Sequence, residues 1–528
     1  MFVPMFLALV LWLGLLAVHV QAIDLSAKPA SENSRDEIAR SSLLETRGAA
    51  SNHSCSRACS LLAEKFPSQV YSSGTSLYAA FEQSFWTMQQ TEVQPHCIFR
   101  PGDATDVSAA IRTVRQTQCT FAVRSGGHAA FAGASNAHNG LTIDLRGLNK
   151  VKLSDDDTIA HVGTGNTWYD VYTALQPSNL TVIGGRVAAI GVGGLTTGGG
   201  ISFFSGLHGW ACDNVRNYEV VTASGDILQV NISSYPDLYF ALRGGGPNFG
   251  IVTRFDLFTY SLPQGLMWGG SLVYLMNYSS SILTAFTEFG VNAPSDPNAA
   301  LIVAYAYYKG QYLVTADLEY AKPLVDPAIF HDFKAVPSLQ DTTGIKTLAD
   351  ITIEFNQSNP SGFRVTSWTA TYQLNYTMAS YIVDIFIEET NVVANATGIL
   401  PACILQFITI NQLSHMSKYG GNALGLSTNE PLILLELAYM WKSAADDERI
   451  LQACKNIVER TVTMSREWGL TEEYLYMNYA SQFQDVVPSY GKENHERLFE
   501  VARKYDPEGV FQKLQPGYFK LNGSPKRR

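Results

Sequence analysis

The chain has 528 residues, 46% of them apolar and 16% charged, with a formal net charge of -10. That is enough chain for two or three domains with sizeable cores, and it is too apolar for a disordered polymer. The acidic balance excludes a nucleic-acid partner, which would need a basic excess to neutralise phosphates.

Phe2 to Val20 is almost wholly apolar and leads through "VHVQA" to a break at Ala22. This reads as a secretory signal peptide over residues 1–22. Its n-region lacks a positive residue, which leaves a signal anchor as the alternative. No later apolar run is long enough to span a bilayer, so no membrane partner is expected once the signal is removed. Eight Asn-x-Ser/Thr sequons follow, at Asn52, Asn179, Asn231, Asn277, Asn356, Asn375, Asn395 and Asn522. With seven cysteines they point to a secreted or secretory-lumen glycoprotein. Disulfides are expected among the N-terminal cysteines, Cys59 to Cys97 being the leading pair, with at least one cysteine left over.

Residues 23–90 form an N-terminal segment that begins polar. A domain is expected over 91–262. It opens with a strand at "HCIFRP", a helix at "TDVSAAIRTVRQTQ" capped at Thr105, and a second strand at "CTFAV". The helix places Val107, Ala110, Ile111 and Val114 on one face. This β-α-β unit delivers the loop "RSGGH", Arg124 to His128. Then come strands at "LTIDL" and "TIAHVG", a helix near "TWYDVYTAL", a glycine-dense tract over "GGRVAAIGVGGLTTGGGISFFSG", and a hairpin turning at Ser224-Gly225-Asp226. Residues 263–470 alternate strand-like and helical runs, which predicts a substrate domain on a sheet with helices on one face. Residues 471–521 carry "YMNY" and a helix with Leu498, Val501, Ala502 and Tyr505 on one face; 522–528 is a solvated tail. The fold class is α+β.

The ten histidines are scattered, with no His-x-x-x-His pair and none beside cysteine or carboxylate at ligand spacing, so no metal site is expected. There is no Gly-x-Ser-x-Gly elbow. The glycine tract has Thr196 where a dinucleotide fingerprint needs its third glycine. What the glycines do allow is close approach of bare backbone amides to a pyrophosphate and to a flat ring. The bland reading is tight turns alone. Two dense clusters plus "RGGGPNFG" favour the ligand reading.

"VRSGGHAAFAGAS", "GVGGLTTGGGISFFSGLHGWACDNV", "DLYFALRGGGPNFGIVT" and "YMNY" together resemble the berberine-bridge-enzyme-like oxidases, oxygen-dependent FAD proteins of the vanillyl-alcohol-oxidase type, in the family's own order. The resemblance implies a two-subdomain FAD-binding domain with FAD bonded covalently to His128. It also implies that Arg124, Ser125, Gly126, Gly127, Ser135, Val187, Gly193, Gly194, Thr197, Gly198, Gly199, Ile201, Gly250, Ile251, Val252 and Asn478 bind the cofactor. Val187 stands where many relatives carry a second flavin-linking cysteine, and Cys212 does not replace it, so single linkage is expected. Tyr476 matches a tyrosine that takes the substrate proton; an ordinary core tyrosine is the alternative. No carboxylate lies in "GGNALGL", where alkaloid-oxidising members carry a glutamate base. His208 is a candidate for the substrate side, with a structural role the equal alternative, while Trp210 and Tyr218 read as packing.

The implied reaction is hydride abstraction from a small secondary-metabolite intermediate, with O2 reduced to hydrogen peroxide. The alternatives are a carbohydrate oxidase acting at the anomeric carbon, a dehydrogenase needing another acceptor, and a flavin-binding protein without turnover.

Overall fold

Val70–Ser72 (β1) pairs antiparallel with Cys97–Phe99 (β2), so residues ahead of 91 already contribute to a sheet. The computed structural model describes residues 53–427 and 429–525. The expected signal peptide, Asn52 and the end of the tail lie outside them. Ala104–Thr117 (α1) follows β2 and buries Val107, Ala110, Ile111 and Val114 along one stripe. Its cap is Asp103 rather than Thr105: the Asp103 carboxylate accepts from the amides of Thr105 and Asp106, whereas Thr105 already lies inside the first turn. Gln118, in the left-handed region, ends α1, and the chain then enters Phe121–Arg124 (β3). Leu141–Asp144 (β4) inserts between β2 and β3, all three parallel, giving the order β1-β2-β4-β3. Disulfides Cys55–Cys119 and Cys59–Cys97 fasten the helical turns after residue 52 to this sheet. Cys212, Cys403 and Cys454 are free and buried.

The second sheet is antiparallel. Val151–Leu153 (β5), Ile159–Gly163 (β6), Leu180–Val182 (β7), Val215–Val221 (β8), Ile227–Val230 (β9) and Ile251–Ser261 (β10) take the order β5-β6-β10-β8-β9, with β7 on β10. Trp168–Leu175 (α2) starts at a capping box between Thr167 and Asp170. It buries Trp168, Val171, Tyr172 and Leu175, while Val192–Thr197 (α3) is the only regular helix in the glycine tract before Ser205.

Nine strands build the third sheet: Leu266–Leu275 (β11), Ala299–Tyr308 (β12), Gln311–Tyr320 (β13), Gln340–Asp341 (β14), Gly344–Thr347 (β15), Arg364–Gln373 (β16), Leu400–Ile408 (β17), Leu432–Trp441 (β18) and Thr471–Glu472 (β19). All pairings are antiparallel, in the order β14-β11-β13-β12-β17-β18-β16-β19, with β15 on β11. The period of two decides the two faces. Leu301, Val303, Tyr305, Cys403, Leu405, Ile433, Leu435 and Leu437 form a core with Ser279–Asn292 (α4), Tyr376–Val393 (α6) and Asp447–Glu467 (α7). Leu348–Gln357 (α5) lies instead beside β11 and α2. The alternate residues of the same strands, Ile302, Ala304, Ile404, Gln406, Glu436 and Ala438, line a cavity. Each fully buried leucine of the helix face contributes roughly 1.5–3 kcal/mol, so register is fixed: a one-residue slip would turn Glu436 into that core. Lys492–Tyr505 (α8) buries Leu498, Val501 and Ala502 against the core beneath the second sheet.

Among the sequon asparagines, Asn179, Asn277, Asn395 and Asn522 are exposed. Asn231, Asn356 and Asn375 are half-buried: Asn375 caps α6 by accepting from Met378 N, and Asn231 Nδ2 donates to Asn217. No helix among the described residues is long and apolar enough to cross a membrane.

Candidate functional site

Leaving β3, the chain turns through Ser125-Gly126-Gly127. Ser125 Oγ donates to Thr164 O (2.7 Å) and accepts from Gly193 N (3.1 Å), tying the His128 loop to the start of α3. The two loops touch backbone to backbone: a Cβ on Gly126 would stand 2.4 Å from Gly191 N. Gly127 sits at φ +76°, a region costly for any side chain. Glycine is thus required here by geometry.

His128 emerges half-buried at the wall of a cavity of about 1670 Å³. Its Nε2 is enclosed and has no hydrogen-bond partner. Burial pushes its pKa down to about 4, so the imidazole is neutral across the physiological range. The indole of Trp86 lies flat against it, ring centroids 4.0 Å apart and planes 14° from parallel.

The cavity runs from the glycine loops to the third sheet. Ser125, Gly126, Gly127, Ser135, Val187, Gly193, Gly194, Thr197, Ile201, Gly250, Ile251, Val252, Tyr476 and Asn478, all expected from the sequence, line it. A Cβ on Gly194 would meet nothing within 4 Å, so that stretch of α3 presents bare backbone to the cavity. No cysteine lines it among the described residues.

Four of the expected or candidate residues lie off the cavity lining. The Arg124 side chain turns away: it is buried on the rings of Phe81 and Phe85 and donates to Ser84 and to Phe81 O. Desolvation, reinforced by Arg146, pulls its pKa down to about 9, and the side chain braces the N-terminal segment. Gly198 and Gly199 lie outside the lining. A Cβ on Gly198 would strike Asn478 Oδ1 at 2.3 Å and one on Gly199 would press on Leu424 and Trp210, so both are there for packing. His208 packs at a tilt on Tyr260 (ring centroids 3.9 Å apart) away from the cavity, its pKa lowered to about 4 by burial and by Lys418. Trp210 and Tyr218 are fully buried core.

The "YMNY" segment brings two phenols to the cavity. Tyr476 OH accepts from Ile201 N (3.1 Å) and from Asn478 Nδ2 (2.9 Å), and burial pushes its pKa far up. Tyr479 packs edge-on against it, centroids 4.7 Å apart. Arg186 Nη2 donates to Tyr479 OH (2.7 Å) and to Gln406 Oε1 (2.5 Å), while Gln406 Nε2 also donates to Tyr479 (3.2 Å).

Sequence reasoning missed this cluster and the acids around it. Glu436 on β18 lines the cavity, and burial raises its pKa to about 8 against the pull of Arg186. Asp317 on β13 accepts from Ser271 and is raised by burial to about 6. Arg186 forms no ion pair among the described residues, yet it is the cation that lowers both acids. The available signal was a single glutamate inside "LILLELAYMW", and a Glu-bearing strand is a weak one.

The glycine cradle, the enclosed and unpartnered imidazole nitrogen and the long apolar-walled cavity fit a dinucleotide carrying a flat ring, as FAD does. The chain matches the FAD binding domain family over residues 95–231 and the family described as berberine and berberine like over 475–516. An FAD-dependent monooxygenase of Cochliobolus heterostrophus is 40% identical over 492 residues, 89% of this chain and 95% of the relative. One from Fusarium proliferatum is 39% identical over 494 residues, with the same shares. The 6-hydroxy-D-nicotine oxidase of Arthrobacter nicotinovorans has a TM-score of 0.70 at 20% identity, over 87% of this chain and 98% of that one. Berberine bridge enzyme from Eschscholzia californica gives 0.69 at 18%, over 87% and 97%. At those identities the likeness is one of fold.

Proposed function

The chain belongs to the berberine-bridge-enzyme-like family of FAD-linked oxidoreductases, and from that premise we propose that it oxidises a small, largely apolar secondary-metabolite intermediate by hydride abstraction. In this reading FAD is held by one covalent bond, through His128. The observation that carries it is the single cavity joining the His128 and glycine loops to a polar cluster, Arg186, Gln406, Glu436 and Tyr479, set among Ile302, Ala304, Leu313, Ile404 and Met440.

Bound FAD supplies a two-electron acceptor that O2 restores, giving hydrogen peroxide. The backbone of Gly126, Gly193 and Gly194 accommodates the pyrophosphate. Val187 fills the place of a second linkage with a side chain that cannot form one. Tyr476 takes the proton of a substrate hydroxyl as its phenolate: the two N–H groups aimed at its oxygen stabilise that anion before the transfer, against burial, which favours the neutral phenol. Tyr479 is the second reading for the base, because Arg186 stands 2.7 Å from its oxygen and opposes the effect of burial. Replacing each tyrosine by phenylalanine separates them: the base is the one whose loss removes substrate reduction of the flavin while leaving binding. The apolar walls favour an apolar substrate over a sugar. The two disulfides support passage through an oxidising compartment.

The relatives are named monooxygenases, and a monooxygenase leaves one oxygen atom of O2 in its product. Turnover under isotopically labelled O2 tests the oxidase reading. The expected result is one hydrogen peroxide per product and no label in the product. Label in the product would replace it with oxygen insertion, and no bleaching with any compound of a broad panel would favour a flavin-binding protein without turnover.

A further inference from the structure

Trp86 has no place in the reaction as described, yet its indole is the flattest contact His128 makes, 4.0 Å away and 14° from parallel. The ring is pinned from outside the flavin-binding sheets. Trp86 Nε1 donates to Asn359 O (3.1 Å), and Gly362 N donates to Trp86 O (3.2 Å). Next along the chain, Met88 N donates to Phe363 O (2.8 Å), and Gln89 clasps the backbone of Val365 with both ends of its amide. These bonds fasten residues 86–89 to the entry of β16, so the indole cannot swing away without unzipping them. Trp86 and Asn359 also both line the cavity.

His128 is otherwise weakly held. It follows a glycine pair, and its enclosed Nε2 has no hydrogen-bond partner, so no polar contact at that nitrogen sets the plane of the ring. Apart from a hydrogen bond to its own backbone, the contact that restrains the ring is the stacked indole. An aromatic face restrains tilt without engaging either ring nitrogen, so the imidazole keeps one N–H and one free lone pair, which a carboxylate partner would not allow.

We propose that Trp86 is the positioning residue for covalent attachment of FAD at His128: its indole holds the imidazole in the plane from which it bonds the flavin. This rests on the covalent reading above. In the step, a C–N bond forms between an imidazole nitrogen and the 8α-methyl carbon. The methyl group loses one hydrogen and the imidazole loses its N–H hydrogen, in all two protons and two electrons. The flavin ring takes the electrons, and O2 carries them off with two protons as hydrogen peroxide. The nucleophile is the neutral imidazole, the form that burial maintains at His128. Because the clasp on Trp86 comes from residues 359–365, attachment proceeds at full rate only once that segment is docked.

The test is the rate at which apoprotein, expressed under flavin starvation, gains acid-stable yellow colour when mixed with FAD. Trp86→Leu keeps apolar bulk without a flat ring, and Trp86→Phe keeps a ring without the indole N–H. Loss of a stacking contact of this kind corresponds to about a tenfold slower attachment. The expected result, at saturating FAD so that non-covalent affinity does not enter the rate, is that slowing for Trp86→Leu and a rate within about twofold of the parent for Trp86→Phe. If Trp86→Leu does not fold, Trp86→Gln takes its place, with reach and a donor for Asn359 but no ring. Parent-like attachment in the ringless variant overturns the proposal, and so does equal slowing in Trp86→Phe. A parent protein that never gains acid-stable colour defeats the covalent reading itself, which is a different result from either.

Discussion

Glu436→Gln isolates the least expected group in the cavity. Burial lifts the Glu436 carboxyl from its ordinary 4.5 to about 8, with Arg186 offsetting part of the lift. Between those two values the folded protein keeps a proton that the unfolded chain has released. The stability this gives is full below about pH 4.5 and is lost as pH rises to about 8, after which the curve levels. At about 1.4 kcal/mol per pH unit the span amounts to at most about 5 kcal/mol, and the effective dielectric of a cavity wall reduces it to about 2–3 kcal/mol. Glutamine has nearly the same shape and no proton to lose. The unfolding temperatures of parent and Glu436→Gln apoprotein are therefore expected to agree near pH 5 and to diverge as pH rises. Near pH 8.5 the variant should be more stable by a few degrees. Thermal melts followed by circular dichroism over that range give the comparison. A difference that does not grow with pH, or a variant that is the less stable one at pH 8.5, would refute the reasoning.

Three further outcomes follow from the same geometry. Arg186→Met strands Tyr479 and Gln406 and removes the cation opposing the protonation of Glu436 and Asp317; with two charge-assisted bonds lost, kcat/KM is expected to fall about a hundredfold, read as the rate of anaerobic flavin bleaching. Gly126→Ala would push a methyl group to 2.4 Å from Gly191 N, so the two loops must part, and the purified variant should contain little flavin and melt earlier, by absorbance and by calorimetry. Removing Cys59–Cys97 by a double serine substitution opens a loop closed across a separation of 38 residues, and chain entropy puts the loss at about 4 kcal/mol, measured by denaturant titration against the parent.

The parts of the site that the sequence makes legible are those whose chemistry is local. The turn at Ser125-Gly126-Gly127 and the glycines at Gly191 and Gly193 announce themselves because a side chain at Gly126, Gly127, Gly191 or Gly193 would clash or strain the backbone, and His128 follows directly. The strands of the third sheet are legible as apolar runs, though not which of their residues face the helices. Glu436, Gln406 and Arg186 lie 30 to 250 positions apart in the chain, and only the register of β17 against β18 brings the first two onto one face. Trp86 was hidden for the same reason, since nothing local says that residues 86–89 zip onto the start of β16. Arg124, Gly198 and Gly199 err in the other direction: they sit inside a motif, but the strand direction at Arg124 and the close packing of Asn478 on Gly198 give them structural work. The cap at Asp103 shows the limit at smaller scale, where a carboxylate reaching two amides displaces the threonine the pattern favoured.

The most direct test of the central claim is to precipitate the purified protein with acid, digest the pellet and find the flavin by mass spectrometry. The account predicts yellow colour in the pellet and one FAD-bearing peptide, the one containing His128, with its mass consistent with a single linkage. Colour left wholly in the supernatant, or an adduct on any residue other than His128, would contradict it.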